Sequence, residues 1–451
     1  MADRNDIKTL DAVRRAAHPL TEDDHHDALL DLIGDARFVL LGEASHGTHE
    51  FYRERARISR RLIAEKGFNA VAIEGDWPDA YRVNRYVRGL GNDASADEAL
   101  AGFRRFPTWM WRNTDVVEFV DWQRARNDAL PEAARSGFYG MDLYSLHNSV
   151  AAVLGYLEKD HPELARLARE RYACFDRFGD DSQIYGLMTG LRGVEGCAEQ
   201  VIATLVDLTR HAAAPAPRSG RIGADDAFNA QQNARLVKNA EAYYRAMYLS
   251  DTSSWNLRDQ HMVETLGALE RHLGRAGTPP KIVVWAHNSH LGDARATEMG
   301  SRRSEINVGQ LMREQHGRDA VLVGFCTHTG SVTAASDWDA PGERKRVRPS
   351  REDSIEGLLH ATGIERFLLP LRGGGAHADA LRAPLLERAI GVIYRPETER
   401  QSHYFHAQVA EQFDAVIHID TTRALEPLEP EPGWRDAEAA ETYPFGGMSA
   451  S

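Results

Sequence analysis

Glu43 and His46 stand three residues apart in LGEASHGTHE (Leu41–Glu50), immediately after the apolar run Phe38–Leu41. A carboxylate and an imidazole delivered together into a turn can share a proton, with the carboxylate orienting the ring and the ring acting as acid or base near neutral pH. The pattern recurs. AVAI (Ala70–Ile73) ends in Glu74, GFYG (Gly137–Gly140) is followed by Asp142, and KIVVWA (Lys281–Ala286) by His287 and His290. Each carboxylate alone reads more readily as a cap or turn residue. As a set, recurring at the ends of short β-rich runs, they point to one polar site.

The elements that must position such a site are legible around it. The apolar runs are short, rich in Val, Ile and Phe, and followed by helical periodicity, as expected of buried parallel strands in βαβ units. In open sheets of this kind the carboxyl ends of the strands border the ligand crevice, so Glu43, His46, Glu74, Asp142 and His287 are expected at one sheet edge. The predicted fold is α/β, a mainly parallel central sheet surrounded by helices, with an inserted helical subdomain over a deep cleft. Residues 1–35 read as a helical lead-in, 36–427 as the α/β domain with the helical insertion at about 145–273, and 428–451 as an irregular tail. Strands are expected at Ala36–Leu41, Lys281–Ala286, Ala320–Cys326, Phe367–Leu369, Ile390–Tyr394 and Ala415–Ile419. The Ala-, Pro- and Gly-containing break His211–Asp226 interrupts the insertion as a linker or mobile loop.

Composition narrows the partners. The 451 residues are 42% hydrophobic and 27% charged, with a formal net charge of −13. The acidic balance disfavours nucleic acid and anionic membrane surfaces and suits a small-molecule partner. No apolar stretch reaches the length of a membrane span or signal core, which predicts a cytoplasmic protein. Cys174, Cys197 and Cys326 have no metal-ligand spacing and read as buried free thiols.

Other chemistries fit poorly. Gly373–Gly375 follows no strand–GxGxxG–helix context, and no GxSxG elbow occurs. Ser45 is the sequence neighbour of His46, a poor geometry for a serine nucleophile and its base. HGTHE is not HExxH, although His46 with His49, or His287 with His290, could join Glu43 and Glu74 around zinc. Acid/base chemistry with no metal and no cofactor needs fewer assumptions. Aromatic candidates for an apolar substrate wall are Trp77, Trp109 within Phe103–Trp111, and Trp338 within Ser331–Asp339. The basic stretch Pro341–Asp353 reads as a solvated hairpin or as a contact for a charged ligand.

The motifs LLGEASHGTHEFY, AVAIEGDWPDA, GFYGMDLYSL, NLRDQHM, KIVVWAHNSHLGD, NVGQLM, SVTAASDW and QSHYFHAQVAEQFDAVIHID, in this order between residues 36 and 427, resemble the erythromycin esterase family, including its homologues labelled succinoglycan-biosynthesis proteins. The resemblance implies an ester or lactone hydrolase, in some members acting on macrolides and conferring antibiotic resistance, in which His46 activates water without a covalent intermediate. It implies that Glu43, Glu74, Arg55, His287 and His290 occupy the remaining active-site positions and that Arg258 lines the cleft. Glu43 or Glu74 would then orient His46, and His287 or Arg55 would donate to the oxyanion. Distant relatives are thought to bind haem or metal, which makes a binding protein or a metal-dependent hydrolase the alternative.

Overall fold

The computed structural model describes residues 4–21, 26–179, 181–212, 221–430 and Trp434. The chain lays down strands β1 (His18–Pro19), β2 (Phe38–Leu41), β3 (Ala70–Asp76), β4 (Gly137–Asp142), β5 (Ile282–Trp285) and β6 (Ala320–Cys326), then the hairpin β7 (Thr329–Ala334) and β8 (Glu343–Val347). There follow β9 (Arg366–Pro370), the pair β10 (Leu385–Arg388) and β11 (Tyr404–Ala407), β12 (Ala415–Ile419) and β13 (Thr421–Thr422). Eight of them form one sheet in the order β1-β9-β12-β6-β2-β5-β3-β4, parallel except where β9 meets β12 and β1.

Both faces of this sheet are covered, which is why its strands read as continuous apolar runs rather than alternating ones. Phe38 and Leu40 of β2 join one core with Ala70, Ala72, Ile282 and Val284, while Val39 and Leu41 join the other with Val71, Ile73, Val283 and Trp285. The helix His49–Glu65 contributes Phe51, Ile58 and Leu62 to the second core. Between β4 and β5 the described residues are helical, from Leu146–Asp160 to Asp251–Leu273, and their apolar faces build the first core. Trp77 clamps this helical layer to the sheet, lying between Tyr139 of β4 and Phe228 of the helix Arg221–Met247 and donating through Nε1 to Asn229 at 2.9 Å. Half of the expected break His211–Asp226, at 213–220, lies outside the described residues, as does most of the expected tail.

Two expectations are corrected. Ile390–Tyr394 is not a strand, because Ile390 and Ile393 make only isolated bridges to Ser45 and Ala335. Cys174 and Cys197 are not free thiols; across the short helical segments Ser182–Gly186 and Leu187–Leu191 the chain folds back, their Cα atoms stand 5.9 Å apart and they form a disulfide. Cys326 is the buried free cysteine, its thiol pushed up by burial. The basic stretch after Pro341 includes β8, antiparallel to β7, with Trp338 in the connection between them.

Candidate active site

The carboxyl ends of β2, β3, β4 and β5 converge because these four strands are neighbours in the sheet, with Leu41 opposite Trp285, Trp285 opposite Ile73, and Asp76 opposite Asp142. They floor a cavity of about 330 Å³ whose lining includes His46, Glu74, Asp142, Arg258, His287 and His290. Two glycines make the approach possible. A Cβ on Gly42 would collide with the Asn288 carboxamide, and one on Gly47 with the Thr333 backbone carbonyl. With hydrogens there instead, Asn288 N–H donates to the Glu43 carbonyl at 2.8 Å, and Thr333 N–H to that of Gly47 at 2.9 Å. The Glu43–His46 turn is thereby fastened to the turn that follows β5 and to β7.

His46 Nδ1 lies 2.9 Å from Glu43 Oε1. With Nδ1–H donating to the carboxylate, Nε2 carries the lone pair and has no protein partner among the described residues. Glu43 Oε2 is in turn 2.6 Å from the Arg55 guanidinium, which is fully buried and stacked over Tyr52 and Trp285 at 4.3 and 5.2 Å. Arg55 therefore stands behind Glu43 and does not line the cavity.

His287 faces His46 with ring centroids 4.8 Å apart. It caps the short helix Asn288–Leu291, its Nδ1 accepting from Ser289 N–H at 3.2 Å and lying 2.8 Å from the Ser289 hydroxyl. An Nδ1 that accepts leaves the proton on Nε2, which is buried and has the Ala44 carbonyl near it without a formed hydrogen bond. Burial and the neighbouring His46 push the His287 pKa down to about 3, against the opposing pull of Glu74 and the Ala44 carbonyl. The ring is neutral at pH 7, and its N–H is available as a donor.

The third group is a charge network on the β3–β4 side. Glu74 accepts from Arg258 at 2.6 Å and from His287 N–H at 2.9 Å. Burial opposes its ionisation, but His290 and Arg258 outweigh that and hold the carboxyl well below the usual range. Asp142 takes Arg258 in a two-point grip, at 2.9 and 2.7 Å. His290 stacks on Trp255 at 4.4 Å and binds Asp259 through Nδ1 at 2.9 Å. Burial works against its charge, yet Asp259 and Glu74 lift its pKa to about 9.

The aromatic expectations divide. Trp338 lies at the mouth, edge-on to Phe106 at 5.1 Å, and lines the cavity with Phe103, Trp111, Tyr144 and Trp255. Trp77 is buried in the core and does not reach the cavity, because its side chain turns back between sheet and insertion. Trp109 points away too, into a neighbouring cavity beside Arg104, Arg112 and Gly342. Sequence reasoning passed over Asp79, Arg105, Trp255 and Asp259. Asp79 and Asp259 stood within quoted motifs, EGDWPD and NLRDQ, and Arg105 within the aromatic cluster, whereas Trp255 carried no signal. The insertion supplies Trp255 and Arg258 to the cavity wall, and Ser145–Asn148, Asp181–Gln183 and Tyr244 to a larger adjoining cavity of about 900 Å³.

Among the described residues no group of three or more His, Cys, Asp or Glu side chains is placed to hold a metal ion. Glu43, Glu74 and His290 already spend their polar atoms on Arg55, Arg258, Asp259 and one another.

The chain is thus an α/β protein whose mainly parallel sheet carries a carboxylate–imidazole pair at the carboxyl ends of its strands. The chain belongs to the erythromycin esterase family, whose profile matches residues 63–422. The erythromycin esterase type II of Escherichia coli is 22% identical over 91% of this chain and 95% of that protein. Among solved structures, a succinoglycan biosynthesis protein superposes with a TM-score of 0.74 at 20% identity, covering 93% of this chain and 98% of the other. An erythromycin esterase mutant in its open conformation gives 0.63 at 19% identity, covering 88% and 93%. At family level the chain is a hydrolase of the ester or lactone type. The profile match begins beyond the Glu43–His46 turn, so the reading of that turn rests on its geometry. No helix among the described residues is long and apolar enough to cross a membrane.

Proposed function

We propose that this chain hydrolyses an ester or lactone of a small organic molecule by direct attack of water, with His46 as general base. The observation that carries the reading is the pairing of two imidazoles in complementary states across 4.8 Å, His46 with a free Nε2 lone pair and His287 with a free Nε2–H. A water between them gives its proton to His46 while its oxygen attacks the carbonyl carbon. Glu43 holds the Nδ1–H and stabilises the imidazolium that forms. The carbonyl oxygen, now an oxyanion, accepts from His287 Nε2–H, with Arg258 supplying positive charge from the cavity lining. Collapse of the tetrahedral intermediate breaks the C–O bond, and the imidazolium returns its proton to the departing alkoxide. Acid and alcohol leave, or one hydroxy acid when the substrate is a lactone.

Asp142, Glu74, Asp259 and His290 act through Arg258 and His287, fixing their positions. Arg55 acts through Glu43. The aromatic rim of Phe106, Trp255 and Trp338 suits an apolar body on the substrate, and the adjoining cavity joined through Arg105, Phe106, Tyr144 and Trp338 leaves space for one as bulky as a macrolide. The haem- or metal-binding alternative has less support, since among the described residues no group of three or more His, Cys, Asp or Glu side chains is placed to hold a metal. The deciding experiment is mass spectrometry of macrolides, simpler lactones and aryl esters after incubation with the protein. Gain of one water, abolished by His46→Ala, is expected; failure to hydrolyse any ester or lactone refutes the reading.

A further inference from the structure

Four carboxylates line the catalytic cavity, and three of them have a cation in contact. Asp76 pairs with Arg105 at 3.1 Å, while Glu74 and Asp142 share Arg258 at 2.6 and 2.7 Å. Asp79 is the fourth. It sits in the first turn of the helix Trp77–Val87, is 8% exposed, and makes no hydrogen bond or ion pair with any described residue. The charged groups around it are committed elsewhere. Arg105 is on Asp76, Arg82 is doubly bonded to Asp93 at 3.0 and 2.5 Å, and Arg104 donates to the Ala101 carbonyl at 3.1 Å. A buried carboxylate without a partner is costly, and a residue needed only to favour the helix N-terminus would sit in water instead.

We propose that Asp79 is the anchor for a positively charged amine on the substrate, so that the esters this cavity selects are cationic. The proposal rests on the hydrolase reading and names the substrate class for it. The surroundings suit an alkylammonium ion. Its methyl or methylene groups would lie against the aromatic wall, where the Phe106 and Trp338 rings meet at the cavity mouth and aromatic rings attract cations. Carboxylates outnumber arginines in the lining by four (Glu74, Asp76, Asp79, Asp142) to two (Arg105, Arg258). His287 is neutral, and His290 is paired through Nδ1 with Asp259 behind it.

Burial, reinforced by Asp76, pushes the Asp79 carboxyl up to about 7 against the opposing pull of Arg105, Arg82 and Arg104. A cation binds the ionised form only, so its affinity must rise with pH through that region and level off above it.

The test is calorimetric titration of the full-length protein with phenyltrimethylammonium, which has no titrating group, and with its neutral isostere tert-butylbenzene. Phenyltrimethylammonium is expected to bind more weakly to Asp79→Asn by about tenfold or more, as for loss of a charged partner. With wild-type protein its affinity is expected to fall several-fold from pH 8 to pH 6, while that of tert-butylbenzene stays constant. The wild-type pH series decides the matter even if the variant does not fold. Equal affinity of wild type and variant for the cation, a flat wild-type pH series, or no binding of the cation would overturn the proposal. Turnover of a neutral aryl ester by wild type separates the two readings. Turnover without cation binding removes the anchor and keeps the hydrolase, and cation binding without turnover of any ester does the reverse.

Discussion

Replacing Glu43 by Gln removes one charge and keeps the shape, and its consequences follow from what stands behind it. Arg55 has no solvent exposure, and Glu43 is its ion-pair partner at 2.6 Å. Losing one partner of a buried pair leaves the other charge uncompensated, a cost of about 3–5 kcal/mol. The faces of Tyr52 and Trp285 soften this by about 1 kcal/mol each at most, because they already touch the guanidinium in the wild type. Glu43→Gln is therefore expected to lose about 2–4 kcal/mol in urea unfolding at pH 7. Its turnover of an aryl ester should fall about 10²-fold or more, since the imidazolium at His46 loses its counter-charge. The double variant Glu43→Gln/Arg55→Met separates these effects. It removes the stranded charge and should restore most of the stability, yet it cannot restore the orientation of His46, and turnover stays low. A wild-type unfolding midpoint for Glu43→Gln, or recovered turnover in the double variant, would refute the coupling of Arg55, Glu43 and His46.

His46→Ala should lower turnover by about 10²- to 10⁴-fold with an unchanged melting profile, and near-wild-type activity would remove it as the base. His287→Gln, which keeps an N–H, should retain more activity than His287→Leu; equal losses would deny His287 a donor role. Asp79 is raised to about 7 in the fold from about 3.9 in the unfolded chain, so it contributes stability that is present at low pH and is lost as pH rises through 7. Asp79→Asn should thus gain up to about 4 kcal/mol relative to wild type between pH 4 and pH 8, and parallel stability–pH curves would contradict this. Prolonged chelation should leave hydrolysis intact, and activity lost on chelation and rescued by zinc or manganese would make Glu43, His46, Glu74 and His287 ligands instead.

Much of this site was legible in the chain because strand-end positions are set by local pattern. A buried parallel strand reads as a continuous apolar run, and the residue after it must stand at the sheet edge, which located Glu43, Glu74, Asp142 and His287 without any contact information. The limits of strands β6 and β12 were readable for the same reason. What lay between neighbours in space and not in sequence was not readable. That Arg55 serves Glu43 from behind, whereas Arg258 reaches Glu74 and Asp142 from a helix 116 or more residues away, depends on which side chain the packed layers leave next to which carboxylate. The same holds for Trp77, a core clamp instead of a substrate wall, and for Cys174 and Cys197, whose pairing needed the fold-back of the helices between them. The sequence alone determined the residue types and their delivery to one edge, since periodicity and turn chemistry act over a few residues. Only the tertiary structure decided protonation and partnership, because burial and charge at 3 to 5 Å are properties of groups brought together from distant strands and helices.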